Sequence, residues 1–236
     1  MFFVSKYVEL GYPVYPGMPV YPGLPEVELV LREDQAKGDD WNGSVLTIYL
    51  HAGTHVDAPW HYMSGDAPKL DDVERVPTES FVYAHPVLID IDPKGAQNYL
   101  ISIADLRAIG AELYEADALF FNTGYWKYRD RDFMTYATGF PAVSPEAAVF
   151  IRTELPKVKA VGIDTLSIEN IGNGRKNGFA THTTFLDPDK PNHTLLIYED
   201  INPEPIIGKK IIRAFCSPLR VRGDAANCNI ICEIEA

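Results

Sequence analysis

Three of the six histidines fall within eleven residues and share that segment with an aspartate. The segment reads His51-Ala-Gly-Thr-His55-Val-Asp57-Ala-Pro-Trp-His61. Two imidazole nitrogens and a carboxylate oxygen suit zinc, manganese or ferrous iron, and an open coordination position would make such a site catalytic. A single histidine is more often a surface or core residue than a ligand. Several imidazoles buried with a carboxylate are costly without a cation, so the group predicts a metal site at His51, His55 and Asp57.

The backbone of this segment is predicted to be extended. Gly53 and Pro59 disfavour a helix, and the segment follows residues 45–50, whose β-branched and aromatic side chains are typical of a strand. In an extended chain side chains alternate with period 2, so the three histidines and the aspartate would share one side. On a helix, Asp57 would lie about 200° around the axis from His55 and could not join it.

His61 is the candidate for proton transfer. It stands just past the ligands on the same predicted side, and imidazole titrates close enough to neutrality to accept and return a proton. Trp60 and Tyr62 flank it and could form the wall of an aromatic pocket. At extended spacing both would point away from the metal, which favours core packing instead.

The net charge of −12 makes several partners improbable on physical grounds. Nucleic-acid binding and adsorption to anionic membranes both require clustered Lys and Arg, which this chain lacks. There is no apolar run of about 18 residues for a membrane span, and residues 1–13 show no signal-peptide pattern. The expected location is therefore the cytoplasm.

Three cysteines, Cys216, Cys228 and Cys232, are too few and odd in number for a disulfide framework. Cys228 and Cys232 are separated by three residues rather than the two typical of a zinc knuckle. All three are predicted to be buried and unreactive core residues.

The order of elements predicts a strand-rich α+β protein. Prolines forbid a helix across residues 14–31, which should form strand and loop. A helix is predicted at residues 102–109, opened by Ser102 and closed by Gly110, and another at residues 144–153 with Pro145 in its first turn. Further strands are predicted at residues 84–91, 118–122, 160–163, 194–198, 210–215 and 228–234. No linker or repeat divides the chain, so residues 1–236 are expected to form one domain.

The segment HAGTHVDAPWH resembles the His-x-Gly-Thr-His-x-Asp-x-Pro-x-His signature of the cyclase-like metal hydrolases at all seven specified positions. That group contains bacterial kynurenine formamidase and isatin hydrolase. Four further stretches resemble landmarks of the group in the same order: VYPGMPVYPG, NTGYW, VGIDTLSIE and SPLRVRGDAAN. The resemblance implies a swivelling β/β/α-type fold, homodimers or homotetramers, and one or two divalent metals, zinc or alternatively manganese.

The resemblance also implies roles for particular residues. His51, His55 and Asp57 would be metal ligands, with Asp57 bridging a second ion that the family holds through a later His and Glu. The matching pair here is His182 and Glu199. His193 is a rival to His182, because in an extended segment it would share a face with Glu199.

The implied reaction is the hydrolysis of a small-molecule amide. The leading expectation is an arylformamidase of tryptophan catabolism, which converts N-formylkynurenine to kynurenine and formate. The alternatives are ring opening of a cyclic amide or lactone, and a non-catalytic metal-binding protein. Thiol chemistry at Cys228 or Cys232 has little support, because no histidine lies near them in the sequence. Asp164, Ser167 and Asp224 lie in family landmarks but receive no catalytic step, since such groups near turns usually satisfy the backbone.

Overall fold

A computed structural model of the chain describes residues 5–63 and 72–235. In chain order, strands β1 to β13 are Ser5–Glu9, Glu28–Glu33, Gly43–Thr47, His55–Asp57, Val82–Tyr83, Pro86–Asp90, Leu100–Ile101, Ala118–Asn122, Ala142–Val143, Ala160–Ile163, Leu196–Glu199, Ile211–Pro218 and Ala225–Glu235. Helices α1 to α5 are Ile103–Arg107, Phe133–Thr138, Pro145–Glu154, Ile171–Asn177 and Ala180–Leu186. The signal-peptide expectation rests partly on residues 1–4, which lie outside the described residues.

A mixed nine-stranded sheet forms the centre of the protein, in the order β5-β12-β13-β4-β11-β10-β8-β6, with β1 also paired to β13. Strands β6, β8, β10 and β11 are mutually parallel, whereas β4 runs antiparallel between β11 and β13. Strand β12 also contacts β6, so the two ends of the sheet approach each other. The predicted strand-rich α+β class is confirmed.

The middle strands of the sheet are buried on both faces. Along β8, Phe121 packs in an apolar layer with the helices, the helix-side layer, whereas Phe120 packs in the inner layer on the opposite face. The same alternation places Ile197 of β11 in the helix-side layer and Tyr198 in the inner layer. Parallel strands covered on both faces carry nearly continuous apolar runs, as these strands do.

Both predicted helices are present, with one corrected boundary. The Ser102 hydroxyl and the Asp105 carboxylate form a capping box that starts α1, but the helix ends at Arg107 rather than at 109. Residues Gly110–Tyr114 then form a separate 3₁₀ turn. Helix α3 follows Ser144, whose side chain accepts a hydrogen bond from the Ala147 amide.

Helices α2, α4 and α5 are absent from the sequence-based prediction. Each has only six or seven residues, which is too short to be stable without tertiary packing and too short to show a clear apolar period. Strand boundaries also differ by a few residues. Strands β8 and β10 have the predicted limits, β6 starts at Pro86 instead of 84, and β12 and β13 extend beyond their predicted ends.

None of the helices within residues 5–63 and 72–235 has the length and apolarity needed to cross a bilayer. The one-domain organisation of residues 1–236 stays a prediction.

A buried ion pair fixes the end of β11. Asp200 follows Glu199 with a positive φ of 51°, a conformation that residues other than glycine seldom adopt. Its carboxylate accepts hydrogen bonds from Arg129 Nε at 2.8 Å and from the Tyr136 hydroxyl at 2.5 Å. Its carbonyl accepts one from the Thr54 hydroxyl at 2.5 Å. The network therefore joins the end of β11 to the residue that precedes β4.

Replacing Arg129 by Met should lower the free energy of unfolding by about 3 to 5 kcal/mol, because the Asp200 charge would remain buried without its partner. Urea unfolding monitored by circular dichroism would measure this. Arg131→Met, which removes an exposed guanidinium two residues away, is the matched control and should have little effect. Equal unfolding midpoints for the two variants would contradict the prediction.

Candidate metal centre

Neighbouring strands bring the carboxylate of Glu199 to the predicted ligands. In the register of β4 and β11, Glu199 lies opposite His55, and Ile197 lies opposite Asp57. Directly opposed residues share a face of the sheet. Because Val56 and Tyr198 pack in the inner layer, His55, Asp57 and Glu199 point to the helix side.

The prediction of an extended backbone from 51 to 61 is wrong at both ends. Only His55–Asp57 is strand. Residues 49–54 turn, with the Ala52 amide donating to the Tyr49 carbonyl and Gly53 at φ +69°. Pro59–Tyr62 forms a 3₁₀ turn, for which proline supplies a suitable φ at the first position.

The turns nevertheless bring His51 and His61 to the same site as the strand residues. Their rings lie 4.2 Å apart, and the His51 ring lies 5.1 Å from that of His55. His51 Nδ1 is 2.9 Å from Asp57 Oδ1, and His55 Nε2 is 3.4 Å from the same oxygen. The predicted grouping holds although its predicted backbone does not.

His182, on α5, lies on the other side of the same site. The cluster of candidate site residues thus comprises His51, His55, Asp57, His61, His182 and Glu199. Its Nε2 lies 3.3 Å from Glu199 Oε1 and 4.0 Å from Asp57 Oδ2. The rival His193 precedes β11, and its Nε2 donates a hydrogen bond to the Val158 carbonyl at 2.7 Å. The period-2 argument for His193 fails because β11 begins only at Leu196.

Tyr62 contacts the site, contrary to the prediction from extended spacing. The 3₁₀ turn rotates it so that its ring stacks on His182 with centroids 4.7 Å apart and 27° between the planes. It also meets the His61 ring edge-on at 4.7 Å. Tyr62 packs against the helix-side layer as well, so its predicted packing role and a place in the wall of the site coexist.

Two overlapping groups of atoms could hold metal ions. His51, Asp57 and His61 form one group, and His55, Asp57 and Glu199 form the other, with the ligand atoms of each within 4.8 Å of one another. Asp57 belongs to both groups, as expected of a bridging carboxylate. The first group also includes His61, which the sequence assigned to proton transfer alone.

Unsatisfied polar atoms at the centre of the cluster fit a cation. Among the residues that the structure describes, His55 Nε2 and both carboxylate oxygens of Asp57 are buried without a well-aligned hydrogen bond, although His51 Nδ1 lies 2.9 Å from Asp57 Oδ1. His55 and Asp57 are 1% and 0% exposed. Buried polar groups are normally paired, and a bound divalent ion would satisfy all three atoms.

The charges of the cluster lead to the same conclusion. Burial by itself lowers the pKa of His51, but Asp57 and Asp224 raise that pKa to about 9. Burial and the Asp57 charge raise the pKa of Glu199, but His182 and His55 offset this and bring that pKa to about 2. The raised pKa of His51 favours a proton that balances the buried carboxylates, and a divalent ion would provide that balance in its place.

The histidine rings are held by acceptors on their outward nitrogens. His55 Nδ1 donates to the Gly53 carbonyl at 2.8 Å, and His182 Nδ1 lies 3.1 Å from Glu169 Oε2. Glu169 is a residue that the sequence analysis missed. It ends the VGIDTLSIE landmark, which was the only available signal.

The three residues without an assigned step differ in position. Asp164 accepts hydrogen bonds from the amide and hydroxyl of Thr123, as expected for a carboxylate that satisfies a turn. The Ser167 hydroxyl donates to Glu199 Oε1 at 3.1 Å. Asp224 lies at the candidate metal site itself, where its Oδ2 contacts His51 Nε2 at 2.9 Å and His61 Nδ1 at 3.1 Å.

The cysteines lie in or beside the inner layer. Cys216 and Cys232 are buried as predicted, whereas Cys228 is partly exposed. Burial raises the pKa of the Cys232 thiol to about 12 and raises that of the other two as well. A thiolate nucleophile is therefore disfavoured at neutral pH.

Adding Zn²⁺ or Mn²⁺ to chelator-treated protein should raise its melting temperature, since a ligand at a hundred times its Kd stabilises the fold by about 2.7 kcal/mol. His182→Ala should bind fewer ions or bind them more than about tenfold more weakly, whereas His193→Ala should match the wild type. Calorimetry with metal analysis would measure both. Equal losses in the two variants would contradict the assignment of His182.

Comparison with known proteins places the chain in a family. A family model described as "Putative cyclase" matches residues 8–170. The kynurenine formamidase of Geobacillus thermodenitrificans (strain NG80-2) is 25% identical over 168 residues, which cover 70% of this chain and 68% of that protein.

Solved structures show the same fold. Isatin hydrolase A from Labrenzia aggregata, bound to benzyl benzoate, matches with a TM-score of 0.79 at 18% identity, over 98% of this chain and 94% of that chain. The "predicted metal-dependent hydrolase" from Bacillus stearothermophilus matches with a TM-score of 0.69 at 23% identity, over 98% of each chain. Because the family model spans more than half of the sequence, the resemblance noted at HAGTHVDAPWH is confirmed, and the chain belongs to the Cyclase family.

Proposed function

We propose that this protein is a metal-dependent hydrolase of small-molecule amides. The observation that carries the proposal is the cluster of possible metal ligands, in which Asp57 belongs to both groups of ligand atoms and His61 to one of them. Atoms at its polar centre lack well-aligned hydrogen bonds, and its outer edge reaches solvent, since the His61 side chain is 25% exposed. A closed structural metal site would have no such edge.

The chain would hold one or two divalent ions, zinc or alternatively manganese, through His51, His55, Asp57, His182 and Glu199. When bound by these residues, such an ion would lower the pKa of water and polarise the carbonyl of an amide. The donor set of imidazoles and carboxylates suits both metals. The buried strand residues supply fixed ligand positions, while the turn residues His51 and His61 lie nearer to solvent.

His61 is proposed to transfer the proton. Water adds to the carbonyl carbon, the carbon–nitrogen bond breaks, and a proton taken from water ends on the leaving amine. The imidazole of His61 can accept that proton and return it, because its ring lies 4.2 Å from His51 and 5.9 Å from His182 at the open side of the cluster. Tyr62, which stacks on His182, would form part of the pocket wall.

The proposed substrate is an aryl formamide, most concretely N-formylkynurenine, cleaved to kynurenine and formate. The support is the similarity to the Geobacillus kynurenine formamidase over 70% of the chain. Ring opening of a cyclic amide such as isatin, or of a lactone, is the second candidate, favoured by the structural match to isatin hydrolase A. Both reactions use the same attack of water on an amide or ester carbonyl. A cytoplasmic location, and the absence of nucleic-acid and membrane partners, stay predictions from the sequence.

His61→Ala should retain bound metal and lose about 10² to 10⁴-fold in kcat on whichever substrate the wild type turns over, because proton transfer contributes a factor of that size. Assays with N-formylkynurenine, isatin and a small lactone would measure this, alongside metal analysis. His85→Ala, at an exposed position outside the cluster, is the matched control and should keep the wild-type rate.

The outcomes separate the candidates. Wild-type activity that survives complete chelation would contradict the proposal, as would full activity of the His61 variant. Bound metal with no turnover of any substrate in the panel would favour a non-catalytic metal-binding protein. Loss of metal from His61→Ala would instead identify His61 as a ligand.

We further propose that the β2–β3 hairpin packs against another copy of this chain in a homodimer or homotetramer. Leu29 and Leu46 are opposed across the hairpin and 50% and 49% exposed, and Val30 and Val45 are opposed on its other face and 44% and 47% exposed. An isolated two-stranded hairpin with apolar residues on both faces is marginal in water. It needs a permanent cover, and another copy is the partner that is always present.

Leu46→Glu should shift the protein toward the monomer, because the charge would be buried at the proposed interface. Sedimentation velocity would measure the change. Val149→Glu, at an equally exposed position on α3 (49%), is the matched control and should leave the assembly intact. A monomeric wild type, or an unchanged assembly in Leu46→Glu, would contradict this proposal.

A further inference from the structure

Strand register and a backbone hydrogen bond fix Asp224 beside the candidate metal site. It immediately precedes β13, where Ala225 lies opposite Asp57 in the register with β4. The Ala58 amide donates a hydrogen bond to the Asp224 carbonyl at 2.9 Å. The backbone of Asp224 is therefore fixed next to β4 and to Ala58, the residue before the 3₁₀ turn that carries His61.

A single carboxylate oxygen of Asp224 contacts two histidines. Its Oδ2 lies 2.9 Å from His51 Nε2 and 3.1 Å from His61 Nδ1. A carboxylate oxygen can accept two hydrogen bonds, so both imidazoles can donate to it at once. The two rings then lie 4.2 Å apart with 39° between their planes.

We propose that Asp224 is a positioning residue that sets the tautomers of His51 and His61 together, one as a ligand and the other as a base. This inference rests on the proposed hydrolase function of the same site. In this proposal Asp224 acts through the two rings that it contacts.

The tautomer of His51 follows from its two contacts. When Nε2 carries the hydrogen and donates it to Asp224, the lone pair lies on Nδ1. Nδ1 is the nitrogen that faces the centre of the cluster, 2.9 Å from Asp57 Oδ1. The hydrogen bond to Asp224 thus directs the electron pair that a cation requires toward the metal position.

A second hydrogen bond to the same Asp224 oxygen gives His61 the opposite tautomer. Here Nδ1 carries the hydrogen and donates to Asp224, so the lone pair lies on Nε2. A base needs that lone pair to accept a proton from the attacking water. Asp224 therefore leaves a different ring nitrogen unprotonated in each histidine, and the two histidines take different roles.

The other two histidines of the cluster have separate acceptors. His55 uses the Gly53 carbonyl and His182 uses Glu169 Oε2. Neither of these acceptors reaches His61. The Asp224 side chain, which is 35% exposed, contacts both the candidate ligand His51 and the proposed base His61 through one oxygen.

Asp224→Asn tests the inference, because an amide has one acceptor oxygen and an NH₂ group that would face a ring nitrogen. We expect kcat to fall about 10 to 100-fold with KM little changed, and zinc affinity to weaken within the same range. Asp224→Glu should recover part of the rate, since it retains the carboxylate. Asp132→Asn is the matched control; Asp132 caps α2, where asparagine serves equally well, and it should behave as the wild type.

Long-range ¹H–¹⁵N spectra supply a readout that does not depend on turnover. In metal-free and zinc-loaded wild type, at a pH where His61 is neutral, its Nδ1 should carry the hydrogen. In Asp224→Asn the two tautomers of His61 should mix. A His61 hydrogen on Nε2 in the wild type, or unchanged kcat and tautomer in Asp224→Asn, would overturn the inference.

The proposed hydrolase function and the proposed role of Asp224 can fail separately. If the wild type hydrolyses no amide or lactone, the proposed function fails while the spectra still decide the role of Asp224. If the wild type is active and metal-dependent but the Asp224→Asn variant matches Asp132→Asn in every measurement, only the inference about Asp224 fails.

Discussion

Asp57 and Glu199 are carboxylates buried against the helix-side layer, and the site is arranged around their need for positive charge. Removing a carboxylate from water is costly unless a cation or a set of donors balances it. In this protein the balance comes from His51, His55 and His182, whose outward nitrogens face a backbone carbonyl or further carboxylates, Asp224 and Glu169. A divalent ion at the centre would satisfy the same charges without protonating the rings.

The sheet determines where those charges can meet. Strand β4 is only three residues long, yet it lies between β11 and β13, so its His55 and Asp57 have a neighbour on each side. Glu199 comes from one neighbour, and Asp224 precedes the other. The ion pair with Arg129 fixes Asp200, which directly follows Glu199. The Asp200 carbonyl also accepts a hydrogen bond from Thr54, which directly precedes His55. The same buried network thus joins the chain segments next to two candidate ligands, His55 and Glu199.

The site residues on strands and those on turns have different proposed roles. His55, Asp57 and Glu199 lie on strands and are almost fully buried, as rigid ligands should be. His51 and His61 lie on turns at the solvent edge, where the proposed substrate would enter and the proposed proton transfer would occur. Asp224 spans that edge and contacts both.

The sequence by itself indicated the types of the candidate ligands, because HAGTHVDAPWH gathers imidazoles and a carboxylate, the donors that zinc and manganese bind. It also determined the strand-rich class and the two helices with clear capping residues, Ser102 and Ser144, since those signals are local. Only the tertiary structure shows that His182 lies beside Glu199 and that His193 does not join the cluster, because α5 is too short to be recognised as a helix and its packing brings His182 to Glu199. It also revealed Glu169 and Asp224, whose roles depend on contacts across 13 and 163 or more residues of sequence. No local pattern encodes such contacts, because strand register and helix packing, rather than spacing along the chain, set the distances between them.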